Sequence, residues 1–248
     1  MPAPDAGPYR HDGGPVAALL IHGFTGSPRS MRPWAEYLAA NDLTVRVPLL
    51  PGHGTTWQEL NRTSWDDWYE TVATALAELR SQHERVFVCG LSMGGSLSLR
   101  LAELQPSSVT GLVLVNPAVH TERLDRFLLP FVRHLVPSFP GIGNDIKKPG
   151  QDEAGYDRLP VQGSYALTQL WSAVRRDIAQ VQAPLLLFRS AEDHVVEPSN
   201  AAWILNNVSS VDKSEQVLPD SYHVATLDND APTIFAESLR FMKRHAGE

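Results

Sequence analysis

Arg85-Val86-Phe87-Val88-Cys89-Gly90-Leu91-Ser92-Met93-Gly94-Gly95 decides how the rest of the chain reads. The apolar run up to Cys89 predicts a strand, and residues 96–105 beyond the glycines predict a helix. Between them lies G-x-S-x-G, in the strand-turn-helix setting that gives this spelling its meaning. A turn this tight brings flanking side chains into collision, so glycines stand two residues on either side of the serine. The turn lifts the Ser92 hydroxyl above a sheet edge at a helix N-terminus, where outward N–H groups favour developing negative charge. A glycine-rich strand-to-helix turn with no chemistry has the same spelling, and the surrounding strand and helix are what argue against it. Cys89 reads as a small core residue, because no cysteine-protease pattern surrounds it.

Working outward, short apolar runs alternate with longer helical segments, the pattern of a parallel sheet covered by helices. Strands are expected over 16–22, 43–48, 85–91, 109–116, 184–189 and 215–218. Most are nearly continuous in apolar residues, as strands buried on both faces are. Ser27 with Pro28 and Ser64 are expected to cap helices, the second running to about residue 81. Further helices are expected over 92–105, 164–180, 199–207 and 230–245. The fold class is α/β, a mostly parallel doubly wound sheet with one insertion. That insertion, 117–163, is rich in Pro and Gly and holds no expected strand. Its apolar stretch 124–136 suits a short amphipathic segment over a pocket, so 1–116 and 164–248 read as core and 117–163 as a cap. An ordinary packed excursion is the other reading of the same segment.

At 248 residues the chain suffices for one large domain. Its 43% hydrophobic and 20% charged residues belong to a folded chain rather than a disordered one. Twenty-one basic against twenty-eight acidic residues give a net charge of −7, which argues against nucleic acid as a partner. One cysteine excludes an internal disulfide and a multi-cysteine zinc site. The first residues lack a secretory signal and no window reaches the roughly 20 apolar residues of a membrane helix, so a cytoplasmic setting is expected.

A serine nucleophile needs a histidine base and a carboxylate to orient it, in the chain order Ser, Asp or Glu, His. Among nine histidines, His223 lies just past the last expected strand and is the preferred base. His83 and His245 read as solvated, His120 and His134 fall in or beside the cap, and His194 precedes the last strand. Asp193, after the strand over 184–189, is the preferred acid, with Glu192 and Asp220 as alternatives. Asp228 and Asp230 are expected to order a loop and cap the last helix. For the oxyanion hole, the N–H of Met93 follows the nucleophile, and that of Phe24 comes from the loop Leu20-Ile21-His22-Gly23-Phe24-Thr25-Gly26. His22 is expected to brace that loop.

Assembled, these motifs resemble the bacterial monoacylglycerol lipases and small carboxylesterases of the α/β-hydrolase fold. The likeness runs through Leu50-Pro51-Gly52-His53-Gly54, Glu192-Asp193-His194-Val195-Val196 and Ser221-Tyr222-His223-Val224-Ala225-Thr226-Leu227-Asp228 as well as the elbow. The resemblance implies ester hydrolysis through an acyl-enzyme on Ser92 and a cap that shapes an acyl tunnel, and nothing in the sequence indicates a cofactor or a metal. It also nominates Glu153 as a contact to the glycerol end of the substrate, against the alternative of a solvated carboxylate. The expected partner is a small lipid or ester, with transient membrane-surface contact through the cap; oligomeric state is not legible. A general carboxylesterase, a carbon-carbon bond hydrolase and a non-catalytic ligand-binding protein are the competing functions.

Overall fold

A computed structural model describes residues 5–141 and 143–247. Among these residues nine strands, β1 (Tyr9–His11), β2 (Val16–Ile21), β3 (Thr44–Val47), β4 (Arg85–Leu91), β5 (Gly111–Val115), β6 (Ser138–Pro140), β7 (Arg158–Pro160), β8 (Leu185–Ser190) and β9 (Lys213–Leu218), are interspersed with eight helices. The helices are α1 (Arg32–Ala39), α2 (Trp57–Leu60), α3 (Trp65–Arg80), α4 (Met93–Leu104), α5 (Leu129–Val132), α6 (Val161–Asp177), α7 (Ser199–Asn207) and α8 (Ala231–Ala246). Seven strands form one sheet in the order β1-β3-β2-β4-β5-β8-β9. Only β1 runs antiparallel, pairing Tyr9 with Val47.

The alternation of side chains along a strand splits the core in two. Ala17, Leu19, Ile21, Val86 and Val88 face one layer, which closes with Trp68 and Leu76 of α3, Leu97 of α4, Leu170 of α6 and Ile204 of α7. Ala18, Leu20, Phe87 and Cys89 face the other, which closes with Trp34 and Leu38 of α1 and with Ile234 and Phe241 of α8. Both faces of β2 and β5 are buried throughout, hence their uninterrupted apolar sequence. From β2 the chain first adds β3 on one side and then β4 on the other. That reversal opens a crevice beyond the carboxyl ends of the central strands.

Ser64 caps α3 as its spacing predicts: its side chain accepts from Asp67 N, and the Asp67 carboxylate accepts from Ser64 N at 2.7 Å. Two other expected caps fail. Pro28 opens a short 3-10 turn (Pro28–Met31) in which the Ser27 side chain caps nothing. Asp230 does not cap α8: its Oδ2 turns back to accept from Asp220 N at 2.7 Å and the Ser221 hydroxyl at 2.9 Å. Asp228 does order its loop, accepting from Lys147 N, Lys148 N and Tyr222 N at 2.7–2.9 Å.

The excursion after β5 holds a 3-10 turn (Leu124–Leu128), α5 and, contrary to the expectation of no strand, the antiparallel pair β6–β7. These strands are three residues each and carry Pro140 and Pro160, so they lack the period-2 signal that marks longer strands. Asn61, just past α2, anchors the excursion. Its side-chain nitrogen donates to Pro137 O at 2.7 Å, and its oxygen accepts from Gln162 N and Gly163 N at 3.0 and 3.1 Å, capping α6 from a distance. Among the described residues no helix is long and apolar enough to cross a membrane.

Candidate active site

Ser92 sits between β4 and α4 with φ +55° and ψ −116°, a conformation L-residues seldom adopt. The turn is held open by close backbone packing: Ser92 N donates to Val115 O at 3.0 Å, and Ser92 O accepts from Gly95 N at 2.9 Å and Ala118 N at 3.2 Å. A Cβ on Gly90 would lie 2.3 Å from the Gly94 carbonyl carbon, and one on Gly94 would lie 2.1 Å from Ile21 O. Both glycines are therefore steric necessities of an elbow that presses α4 against the end of β2. Met93 is the first residue of α4, so its N–H is among those a helix leaves without an internal acceptor. Burial pushes the Cys89 thiol up and keeps it protonated, as a core residue should be.

Asp193 and His223, the expected acid and base, stand on the loops after β8 and β9. Asp193 Oδ1 accepts from the N–H groups of Val195 and Val196 at 2.8 Å each, which aims Oδ2 at His223 Nδ1, 2.8 Å away. With Nδ1 donating to the carboxylate, Nε2 of the neutral ring is left as the acceptor, the tautomer a general base needs. Burial works to lower the His223 pKa, but the charge and hydrogen bond of Asp193, followed by the charges of Glu153 and Asp145, raise it above its ordinary value. Burial works to raise the Asp193 carboxyl, and His223 with the two backbone donors holds it below the usual range. The rival acids face elsewhere: Glu192 lies 3.5 Å from His194 Nε2 and Asp220 pairs with Lys147 at 3.0 Å. His194 is bound to Asp145 at 2.7 Å.

The loop after β2 completes the arrangement. Leu50 N donates to His22 Nε2 at 3.2 Å, so the proton rests on Nδ1, which donates to Gly23 O at 2.9 Å. Burial pushes this histidine down to about 4, leaving a neutral brace. A Cβ on Gly23 would come within 3.4 Å of the Ser92 Cβ, which sets the loop directly against Ser92. The Phe24 ring lies 5.8 Å from Trp68 and 6.1 Å from His53.

Glu153 approaches the same loop, with Oε2 3.4 Å from where a Gly26 Cβ would stand. Burial raises its carboxyl against the pull of His223. The nominated Glu153 is thus half-buried beside the site rather than a solvated surface charge.

Two residues here were not foreseen. Asn116, directly after β5 with φ +44°, donates to His223 O at 2.8 Å and to Ser190 Oγ at 2.9 Å, and accepts from Ser190 N at 2.8 Å. Its only sequence signal was a polar residue at the carboxyl end of a buried strand. Asp145 touches both the acid and the base loop, and nothing in its local sequence announces it.

A parallel α/β sheet with a serine elbow, a histidine-aspartate pair and an anion-ready loop at its carboxyl edge defines the serine hydrolases of the α/β-hydrolase fold. Within that class the chain belongs to the Hydrolase_4 family, described as serine aminopeptidase S33, whose model matches residues 16–230. It is 41% identical over 247 residues to a thermostable monoacylglycerol lipase of Bacillus sp. (strain H-257), covering 98% of this chain and 96% of that one. It is 30% identical to a carboxylesterase of Bacillus subtilis (strain 168) over 96% of each chain. A solved structure from a study of the metagenome-derived lipolytic enzymes LipS and LipT superposes with a TM-score of 0.94 at 38% identity, covering 98% of this chain and 99% of the other.

Proposed function

We propose that the protein hydrolyses carboxylic esters with hydrophobic acyl chains, monoacylglycerols foremost, with Ser92, His223 and Asp193 as its triad. The observation that carries the reading is the His223 Nδ1 to Asp193 Oδ2 hydrogen bond of 2.8 Å beside a serine elbow. His223 takes the hydroxyl proton as Ser92 Oγ bonds to the ester carbonyl carbon. The resulting alkoxide is met by the N–H groups of Met93 and Phe24. Collapse expels the alcohol, which leaves with the proton from His223, and the acyl group remains on Ser92. Water then attacks the acyl-enzyme with His223 again as base, releasing the acid and restoring the serine.

The monoacylglycerol preference is supported by the relatives' names, by Glu153 standing ready to bond glycerol hydroxyls, and by the apolar excursion, which we read as a cap. General carboxylesterase activity on short and medium esters is the second reading, favoured by the Bacillus subtilis relative.

The test is a panel of monoacylglycerols, diacylglycerols, p-nitrophenyl esters and aminoacyl p-nitroanilides, with fluorophosphonate labelling alongside. Ester cleavage and labelling that both vanish in Ser92→Ala are expected, with the long-chain monoacylglycerol preferred. The acid limb of kcat/KM is expected to have its midpoint above that of an ordinary histidine, since His223 must be neutral to act and the Asp193 carboxylate beside it raises its pKa. Anilide cleavage in place of ester cleavage, or labelling unchanged in Ser92→Ala, sinks the reading.

A further inference from the structure

We propose that Asp145, in the excursion between β6 and β7, is a positioning residue that ties the acid loop to the base loop and holds the His223 backbone in register. Its side chain is about 10% exposed and each oxygen is committed. Oδ2 accepts from His223 N at 3.1 Å and from His194 N at 3.2 Å, while Oδ1 accepts from His194 Nδ1 at 2.7 Å. Its backbone oxygen accepts from Val224 N at 3.1 Å. One residue therefore takes the N–H of His223 and of its successor, and the N–H of the residue after Asp193.

The base loop is held from opposite sides. Asn116 grips the His223 carbonyl from the sheet, and Asp145 grips its N–H from the excursion. Without the Asp145 carboxylate the loop keeps its bonds to Asn116, to Asp228 through Tyr222 N and to the Asp145 backbone oxygen through Val224 N, but the His223 N–H loses its acceptor, and the peptide that carries the imidazole can tilt relative to Ser92 and to Asp193. The grip is itself braced. Asn144, at φ +58°, donates to Glu153 Oε1 at 3.3 Å and accepts from Glu153 N at 2.8 Å. Lys147 N and Lys148 N donate to Asp228 on the base loop's far end. The stretch 144–148 thus couples Glu153 on one side to His223 on the other. Whatever fixes the substrate's alcohol end also fixes the base.

The charge of Asp145 acts in the same sense as its geometry. Three carboxyl groups face His223: Asp193 from the acid loop, and Glu153 and Asp145 from the excursion. Each favours the imidazolium that forms in the transition state, so loss of Asp145 disfavours it and lets the imidazole lose its proton at lower pH.

This proposal rests on the Ser92-Asp193-His223 reading. Its test measures kcat, KM, the pH profile of kcat/KM and thermal unfolding of Asp145→Ala, Asp145→Asn and Lys148→Ala, with Ser92→Ala as the reference for the triad. Displacement of a catalytic group by a fraction of an ångström to an ångström costs up to about 100-fold in rate. Asp145→Ala is expected to lose about 10- to 100-fold in kcat with KM within about threefold, and to shift the acid limb to lower pH. Asp145→Asn keeps the volume and one acceptor, and is expected to fall between Asp145→Ala and the parent in both readouts. Lys148→Ala, whose exposed side chain lies on the same stretch, is expected to match the parent.

An Asp145→Asn or Asp145→Ala protein that folds and keeps the parent kcat and acid limb overturns the proposal. So does a loss confined to KM or to thermal stability. If Ser92→Ala remains active, the triad reading itself fails, whereas a dead Ser92→Ala beside a fully active Asp145→Ala removes only this inference.

Discussion

At the scale of single residues, the elbow trades backbone comfort for presentation of a hydroxyl. Ser92 holds φ +55° because Val115, Gly95 and Ala118 fix the peptide on either side of it. Such conformations cost of the order of 1–3 kcal/mol in a residue with a Cβ, and glycine escapes most of that cost while losing about 0.5–1 kcal/mol in chain entropy. Ser92→Gly is therefore expected to be more stable than Ser92→Ala by about 1 kcal/mol, although both lack the hydroxyl. Urea unfolding of the two variants checks this, read as midpoints at equal slope. Equal midpoints would mean that the turn relaxes once the hydroxyl is gone and that Ser92 stores no strain. The same paired logic separates Asp193 from Glu192: adjacent carboxylates differ only in which one the N–H groups of Val195 and Val196 can aim.

At the scale of elements, α4 is tied to its neighbours by packing on one side and by charge on the other. Arg100 Nη1 donates to Glu103 Oε2 at 2.8 Å and to Asp177 Oδ2, at the end of α6, at 2.7 Å. The Glu103 side chain is wholly buried, so its carboxyl depends on Arg100 for compensation. Removing one partner of such a pair costs about 3–5 kcal/mol, whereas replacing both by apolar groups is often nearly neutral. Arg100→Ala is expected to lose about that much in urea unfolding, and Arg100→Met with Glu103→Leu to recover most of it.

The single variant is also expected to weaken further as pH rises, because an isolated buried Glu103 binds a proton more tightly in the fold than in the unfolded chain. A double variant no more stable than Arg100→Ala would show that the pair specifies the α4–α6 contact rather than merely compensating a buried charge. What the sequence disclosed about elements follows the same division between local and distant causes. Period, caps and the serine elbow are local, and the α3 capping box and the buried strands could be read off. The roles of Asn61, Asn116 and Asp145 depend on partners many tens of residues away, the short β6–β7 pair joins segments separated by an irregular loop, and the failed caps at Ser27 and Asp230 turn on how the chain enters each helix. Asp230 is the instructive case: its spacing suits a cap, but its Oδ2 is turned back to Asp220 N and the Ser221 hydroxyl.

At the scale of the whole molecule, every group in the proposed chemistry stands at the carboxyl end of a parallel strand, on a loop or, for Met93, at the start of α4, except Glu153 and Asp145, which the excursion delivers over the same edge. The inner part of that excursion is bonded to the loops after β2 and β9, through Tyr156 N to Thr25 O at 3.2 Å and through Asp145 to His223 N. Its outer part is bare: Leu124, Phe131 and Leu135 are 80%, 73% and 82% exposed. A protein of net charge −7 gains nothing from anionic lipid headgroups, so any lipid contact must come from those side chains. Partial burial of two such residues is worth about 1–2 kcal/mol in all, or roughly tenfold in partitioning. We therefore expect the protein to co-sediment with zwitterionic phosphatidylcholine vesicles carrying monoacylglycerol. Phe131→Ser with Leu135→Ser is expected to bind about tenfold more weakly while cleaving a soluble p-nitrophenyl ester at the parent rate. Parent protein that ignores the vesicles, or a variant that binds them equally well, would leave the exposed patch without a lipid role and make substrate capture a property of the inner site alone.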